Sequence, residues 1–209
     1  MSFKGFTQTD FQSFEIDGLE ARMEAIQERI QPKFAAISED VKSDLEILAG
    51  NEMHLHIARH ARRTKNPPVD TWMAFSHNKR GYKMHPHFQI GLFEDHVFVW
   101  LAYIYELPGK PQMASLFLDH LNELQKDIPT SYWISTDHTK KQASHPITDS
   151  DLDKVLTRFR DVKKGEFLVG RHFASDDPLL NDGEKFIKEV KQTFETLMPI
   201  YQLSLQATK

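Results

Sequence analysis

Between residues 51 and 90 the chain gathers side chains suited to anion and metal chemistry. Seven Lys/Arg lie there (Arg59, Arg62, Arg63, Lys65, Lys79, Arg80 and Lys83), against two acids, Glu52 and Asp70. The segment therefore carries +5 inside a chain of net charge −4. Six of the eleven histidines share it: His54, His56, His60, His77, His85 and His87. A local positive island in an acidic protein suits one anionic ligand better than general coating of nucleic acid. Arginine presents a planar fork to phosphate or carboxylate, and lysine adds a point charge. Gly81 permits a tight turn or a close backbone approach. Tyr82 is placed to stack on a base or to anchor the loop. The candidate anion-binding residues are Arg59, Arg62, Arg63, Lys79, Arg80, Tyr82 and Lys83, and the ligand class is a small phosphorylated or nucleotide-like anion. Nucleic acid is the weaker fit, because Trp72 and Phe75 read equally well as strand core.

The histidines offer a different chemistry. His54, His56 and His60 share strand parity, and alternate residues on a strand stand about 6.6–7 Å apart, close enough for two imidazoles to converge on one ion. His85 and His87 repeat the spacing. This points to a metal-dependent hydrolase in which an open coordination position activates water. Against it, the strand supplies no carboxylate, and outward-facing histidines commonly just meet water or backbone. A third reading is a structural or interaction protein with no catalytic site. None of the three readings calls for an organic cofactor.

Other chemistries are excluded. There is no cysteine, so thiolate catalysis, disulfides and Cys-containing zinc sites are absent. The nine glycines form neither a dinucleotide fingerprint nor a Walker A loop. G-x-S-x-G and H-E-x-x-H are also missing. The first 18 residues lack the apolar stretch of a signal peptide, and the most apolar run, Val97 to Ile104, is too short to cross a bilayer. A cytoplasmic protein without a membrane partner is expected. Oligomeric state is not legible.

The elements that must position these residues follow from periodicity. Asp17 can cap a helix bearing Leu19, Met23, Ile26 and Ile30, and Pro32 can open a second one ending at Gly50. From residue 51 the period becomes two. Strands are expected at 53–58, 71–75, 87–93, 97–105, 131–135 and 166–173, with connectors around 62–70 and 137–148. VFVWLAYIY at 97–105 is apolar on both faces, which marks a central strand. Helices are expected from Pro111 to Leu124 with His120 on the apolar side, from a Thr148/Asp151 capping box onward, and from Asp182 until Pro199 kinks or ends the last one. Four strands in succession imply antiparallel pairing. The expectation is an α+β fold in one domain over residues 1–209, with a mostly antiparallel sheet of about six strands and helices packed on it.

The opening F-K-G-F, the block M-H-L-H-I-A-R-H-A-R-R and the block T-W-M-A-F-S-H-N-K-R-G-Y-K-M-H-P-H-F-Q-I-G resemble the YktB-like uncharacterised proteins of Gram-positive bacteria. The resemblance runs along nearly the whole chain. It implies a compact α+β cytoplasmic protein and brings no activity, cofactor or catalytic residue with it.

Overall fold

The computed structural model describes residues 2–207. Among them the sheet has seven strands, one more than expected, in the order β1-β2-β3-β4-β7-β5-β6. These are β1 (His54–Ile57), β2 (Asp70–Ser76), β3 (His87–Phe93), β4 (His96–Tyr103), β5 (Trp133–Ser135), β6 (Ser144–Pro146) and β7 (Phe167–Ala174). All pairings are antiparallel. The extra strand, β6, lies in the stretch expected to be a connector. Its three residues are too short and too polar to show a period.

β4 is central, between β3 and β7, and all eight of its residues are buried. One face of the sheet carries Met73, Phe75, Phe88, Ile90, Val99, Leu101, Tyr103 and Phe167. These join the main core, which reaches from Phe3 to Tyr201 under the helices. The opposite face carries Trp72, Phe98, Trp100, Ala102, Leu168 and Trp133 as a second apolar cluster. By register it also carries Asp70, His87, Gln89, His172 and, just before β7, Glu166. A sheet face that mixes aromatics with ionisable groups is where a ligand site is expected.

The helices differ from expectation in instructive ways. A short helix α1 (Gln8–Phe11) precedes the expected first one, whose cap is Gly18 at φ 85° rather than Asp17. The two expected N-terminal helices are continuous: α2 (Leu19–Ala25) passes through a π turn at Ile26–Ile30 into α3 (Gln31–Ala49). Pro32 has no N–H to give, and its ring crowds the carbonyl four residues back. The wider turn absorbs that without breaking the helix. The expected helix at 111–124 is two, α4 (Lys110–Asp119) and α5 (Leu121–Asp127), with the break at His120. His120 is not on the apolar side. Its half-exposed ring lies 2.8 Å from Glu123.

Asp151, not Thr148, caps α6 (Leu152–Asp161), and Asp182 caps α7 (Gly183–Gln206) as expected. Pro199 does not end α7, which runs on to Gln206. Among the described residues no helix is long and apolar enough to cross a membrane.

Candidate functional site

The basic island is built by two loops at one end of the β1–β2 pair. β1 stops at Ile57. Ala58 N–H still donates to the Trp72 carbonyl at 2.9 Å, and then the chain turns away at His60. His60 has φ 49°, in the left-handed region, which is uncommon for a residue with a side chain. Its Nε2 lies 3.2 Å from Thr71 Oγ1, and its ring stands edge-on to Trp72. This turn swings Arg59, Arg62 and Arg63 to the surface.

The second loop leaves β2 at Ser76. Gly81, at φ 65°, starts a 3₁₀ turn over Tyr82–Met84. Three contacts fix that turn. Trp72 Nε1 donates to the Tyr82 hydroxyl at 2.8 Å. His56 stacks on the Tyr82 ring, centroids 4.8 Å apart. His56 Nε2 donates to the Asn78 carbonyl at 3.1 Å. Lys83 Nζ lies 5.2 Å over the Trp72 ring, a cation–π arrangement.

Between the loops lies a cavity of about 580 Å³, lined by residues 56–63, Trp72, residues 81–84 and Glu106. Of the sequence candidates, Arg59, Arg62, Arg63, Tyr82 and Lys83 line it. Lys79 and Arg80 are exposed on the same loop but outside the lining. None of these six cations has a carboxylate within 4.0 Å among the described residues. Elsewhere lysines such as Lys33, Lys141 and Lys191 are paired. The Arg63 guanidinium donates to the carbonyls of Asn66 and Pro67.

The histidines do not converge. His54 and His56 share a face, but His60 lies beyond the strand end, so strand parity does not extend to it. His54 Nδ1 is 3.6 Å from Glu52, while His56 and His60 hold the partners named above. His87 is fully buried. Its Nδ1 donates to the His85 carbonyl at 2.7 Å, so its Nε2 accepts from Gln89 at 2.8 Å. Burial pushes the His60 imidazole down to about 4 and that of His87 to about 3, so both are neutral at pH 7. Of these histidines His56 and His60 line the cavity, each already committed to another partner.

Sequence reasoning missed a buried carboxylate beside a histidine. Glu166, 1% exposed, accepts from His138 Nδ1 at 2.9 Å, from His138 N–H at 2.7 Å and from Tyr105 N–H at 3.3 Å. The two residues are 28 apart in the chain, and His138 sits in the polar connector. Only the pairing of β5 with β7 brings them together. Among the described residues, Asp137, His138 and Glu166 are the one set of three ligand atoms within 4.8 Å of one another. Asp70, on the same face, is 5% exposed. Burial raises its carboxyl to about 6, against the opposing pull of His138, Arg63 and Lys83.

Comparison with known proteins places the chain. The family model described as domain of unknown function DUF1054 matches residues 6–201. A UPF0637 protein of Shouchella clausii is 55% identical over 207 residues, covering 99% of this chain and 98% of that protein. One of Oceanobacillus iheyensis is 55% identical over 204 residues, covering 97% and 98%. One of Listeria monocytogenes is 51% identical over 206 residues, covering 99% and 100%. With the match extending from the first helix to the last, the chain belongs to the DUF1054 family, the YktB-like proteins of Gram-positive bacteria.

Proposed function

We propose that the protein binds a small phosphorylated anion with a flat, nucleotide-like part in the cavity between the two basic loops. The observation that carries this reading is the state of four cations. Arg59, Arg62, Arg63 and Lys83 line one cavity of about 580 Å³ and meet no carboxylate among the described residues. Four cations face one acid, Glu106, in the lining, so positive charge is in excess there, and a bound anion relieves the repulsion among them. The His56, His60, Trp72 and Tyr82 rings on the walls supply apolar surface for a planar group. The volume is in the range of small-molecule sites.

The test is a calorimetric titration of nucleoside mono- and diphosphates, sugar phosphates and short oligonucleotides at two salt concentrations. A nucleotide should bind, more weakly at high salt, because exposed charges are screened over about 8–10 Å. Arg62→Ala should weaken binding about tenfold by removing one charge-assisted contact. Arg80→Ala, outside the lining, should weaken it less. No salt-sensitive binding of any phosphorylated compound, or equal binding by wild type and Arg62→Ala, contradicts the reading. Tighter binding of oligonucleotides than of mononucleotides would replace the small ligand with a single strand.

A further inference from the structure

We infer that His138, oriented by Glu166, is a catalytic general base, and that the bound anion is a phosphodiester which the protein hydrolyses. This rests on the anion-binding reading above and names the reaction of that site. The geometry of Glu166 carries it. Both carboxylate oxygens are already engaged: Oε1 by Tyr105 N–H and His138 Nδ1, Oε2 by His138 N–H and His138 Nδ1. A carboxylate so engaged, at 1% exposure, acts as an orienter and not as a metal ligand. It holds the proton of His138 on Nδ1 and leaves Nε2 as the basic nitrogen, the arrangement that activates a nucleophile in acid–base dyads. Among the described residues nothing hydrogen-bonds to Nε2.

The imidazole adjoins the cavity, outside its lining. Its ring centroid is 6.3 Å from that of Trp72, which lines the cavity, and 6.5 Å from that of Tyr105. The ionisable groups around it are Glu166 before β7, Asp70 on β2, His87 on β3 and Asp137 beside it in the loop. Lys83 and Arg63 share its influence on the buried Asp70 carboxyl. Burying this carboxylate costs desolvation that its hydrogen bonds to Tyr105 N–H, His138 N–H and His138 Nδ1 must offset. The same bonds fix the tautomer.

The choice of a diester follows from the chemistry. Transfer from a monoester passes through a loose transition state in which a base contributes little. Attack on a diester needs more bond formation to the nucleophile, and there a positioned base counts. In the step, water loses a proton to His138 Nε2 as its oxygen bonds to phosphorus. The bond from phosphorus to the ester oxygen breaks, and that oxygen takes a proton from the Lys83 ammonium. The imidazolium proton then returns to Lys83 through solvent. The cavity arginines neutralise the phosphoryl oxygens.

The experiment is hydrolysis of bis(p-nitrophenyl) phosphate, with p-nitrophenyl phosphate as the monoester control, followed from pH 5 to 9. Inorganic pyrophosphate binding is measured by calorimetry in parallel. Wild type should hydrolyse the diester well above the buffer rate, faster than the monoester, with activity surviving chelator. His138→Gln should lose at least 100-fold in kcat/KM while keeping pyrophosphate binding and the wild-type circular dichroism. Glu166→Gln should lose about tenfold in kcat with KM unchanged, and Glu166→Asp should recover part of that loss. Pyrophosphate binding without hydrolysis overturns this inference and leaves the binding reading standing; neither binding nor hydrolysis overturns both. Equal rates in His138→Gln, or activity abolished by chelator and restored by metal, also overturn the assignment of His138 as a free base.

Discussion

Asp70 shows how much a single side chain can reveal about where chemistry is placed. Its register partner is Phe93, and its neighbour two residues on is Trp72, so the strand holds the carboxyl in apolar company. The unfolded chain loses this proton near 3.8 and the folded chain near 6. The folded state therefore binds the proton more tightly, so stability falls as pH rises from about 4 to about 6 and the full penalty stands above 6. Two pKa units correspond to about 3 kcal/mol as an upper bound. Asp70→Asn should be more stable than wild type at pH 7 by about 1–3 kcal/mol and show no advantage near pH 4, as read by urea unfolding. Equal stability at pH 7 would refute the burial argument. His60, His87 and His172 act with the opposite slope, since burial lowers each to about 4, 3 and 4 respectively. Below pH 6.5 the unfolded chain takes up protons that these folded imidazoles refuse, so acidification destabilises. Asp70→Asn should steepen that loss by removing the one slope that opposes it.

At the level of elements, the helix–sheet contacts rest on polar devices that periodicity does not announce. The buried Lys110 Nζ, at the start of α4, donates to the carbonyls of Val162, Lys163 and Gly165 at 2.6, 3.1 and 2.8 Å. It thereby closes the turn after α6 and leads the chain into Glu166 and β7. Lys110→Met keeps the stem and leaves those carbonyls to find other partners. Unfolding should show a loss of about 2–4 kcal/mol. A loss under 0.5 kcal/mol would mean that water replaces the amine. The strands were legible because half-buried and fully buried strands print a period of two or a continuous apolar run, as β1 and β4 do. Asp182 was legible because a cap needs only local chain. Pro32 misled because a π turn absorbs the proline without a residue signature of its own. His138 was hidden in a polar connector and Glu166 at a strand edge. Their meeting depends on β5 crossing to lie beside β7, a long-range pairing that local spacing does not encode.

For the whole molecule, the sheet divides labour between its faces. The helices cover one face with an aliphatic and aromatic core, which supplies the stability. The other face keeps its ionisable groups beneath loops, and the charge island, legible in the composition of residues 51–90, sits at the mouth of those loops. Field and cavity together support the central proposal, that a phosphorylated ligand binds beside Trp72. The most direct measurement is a nuclear magnetic resonance titration of ADP into isotope-labelled protein, following indole and guanidinium N–H signals. The three tryptophans are Trp72, Trp100 and Trp133, and Trp72 alone of the three lines the cavity. The account predicts saturable shifts of the Trp72 indole and of the Arg59, Arg62 and Arg63 guanidinium signals, with those of Trp100 and Trp133 unmoved. Saturable shifts centred on Trp133, or no saturable shift at ADP concentrations into the millimolar range, would contradict it.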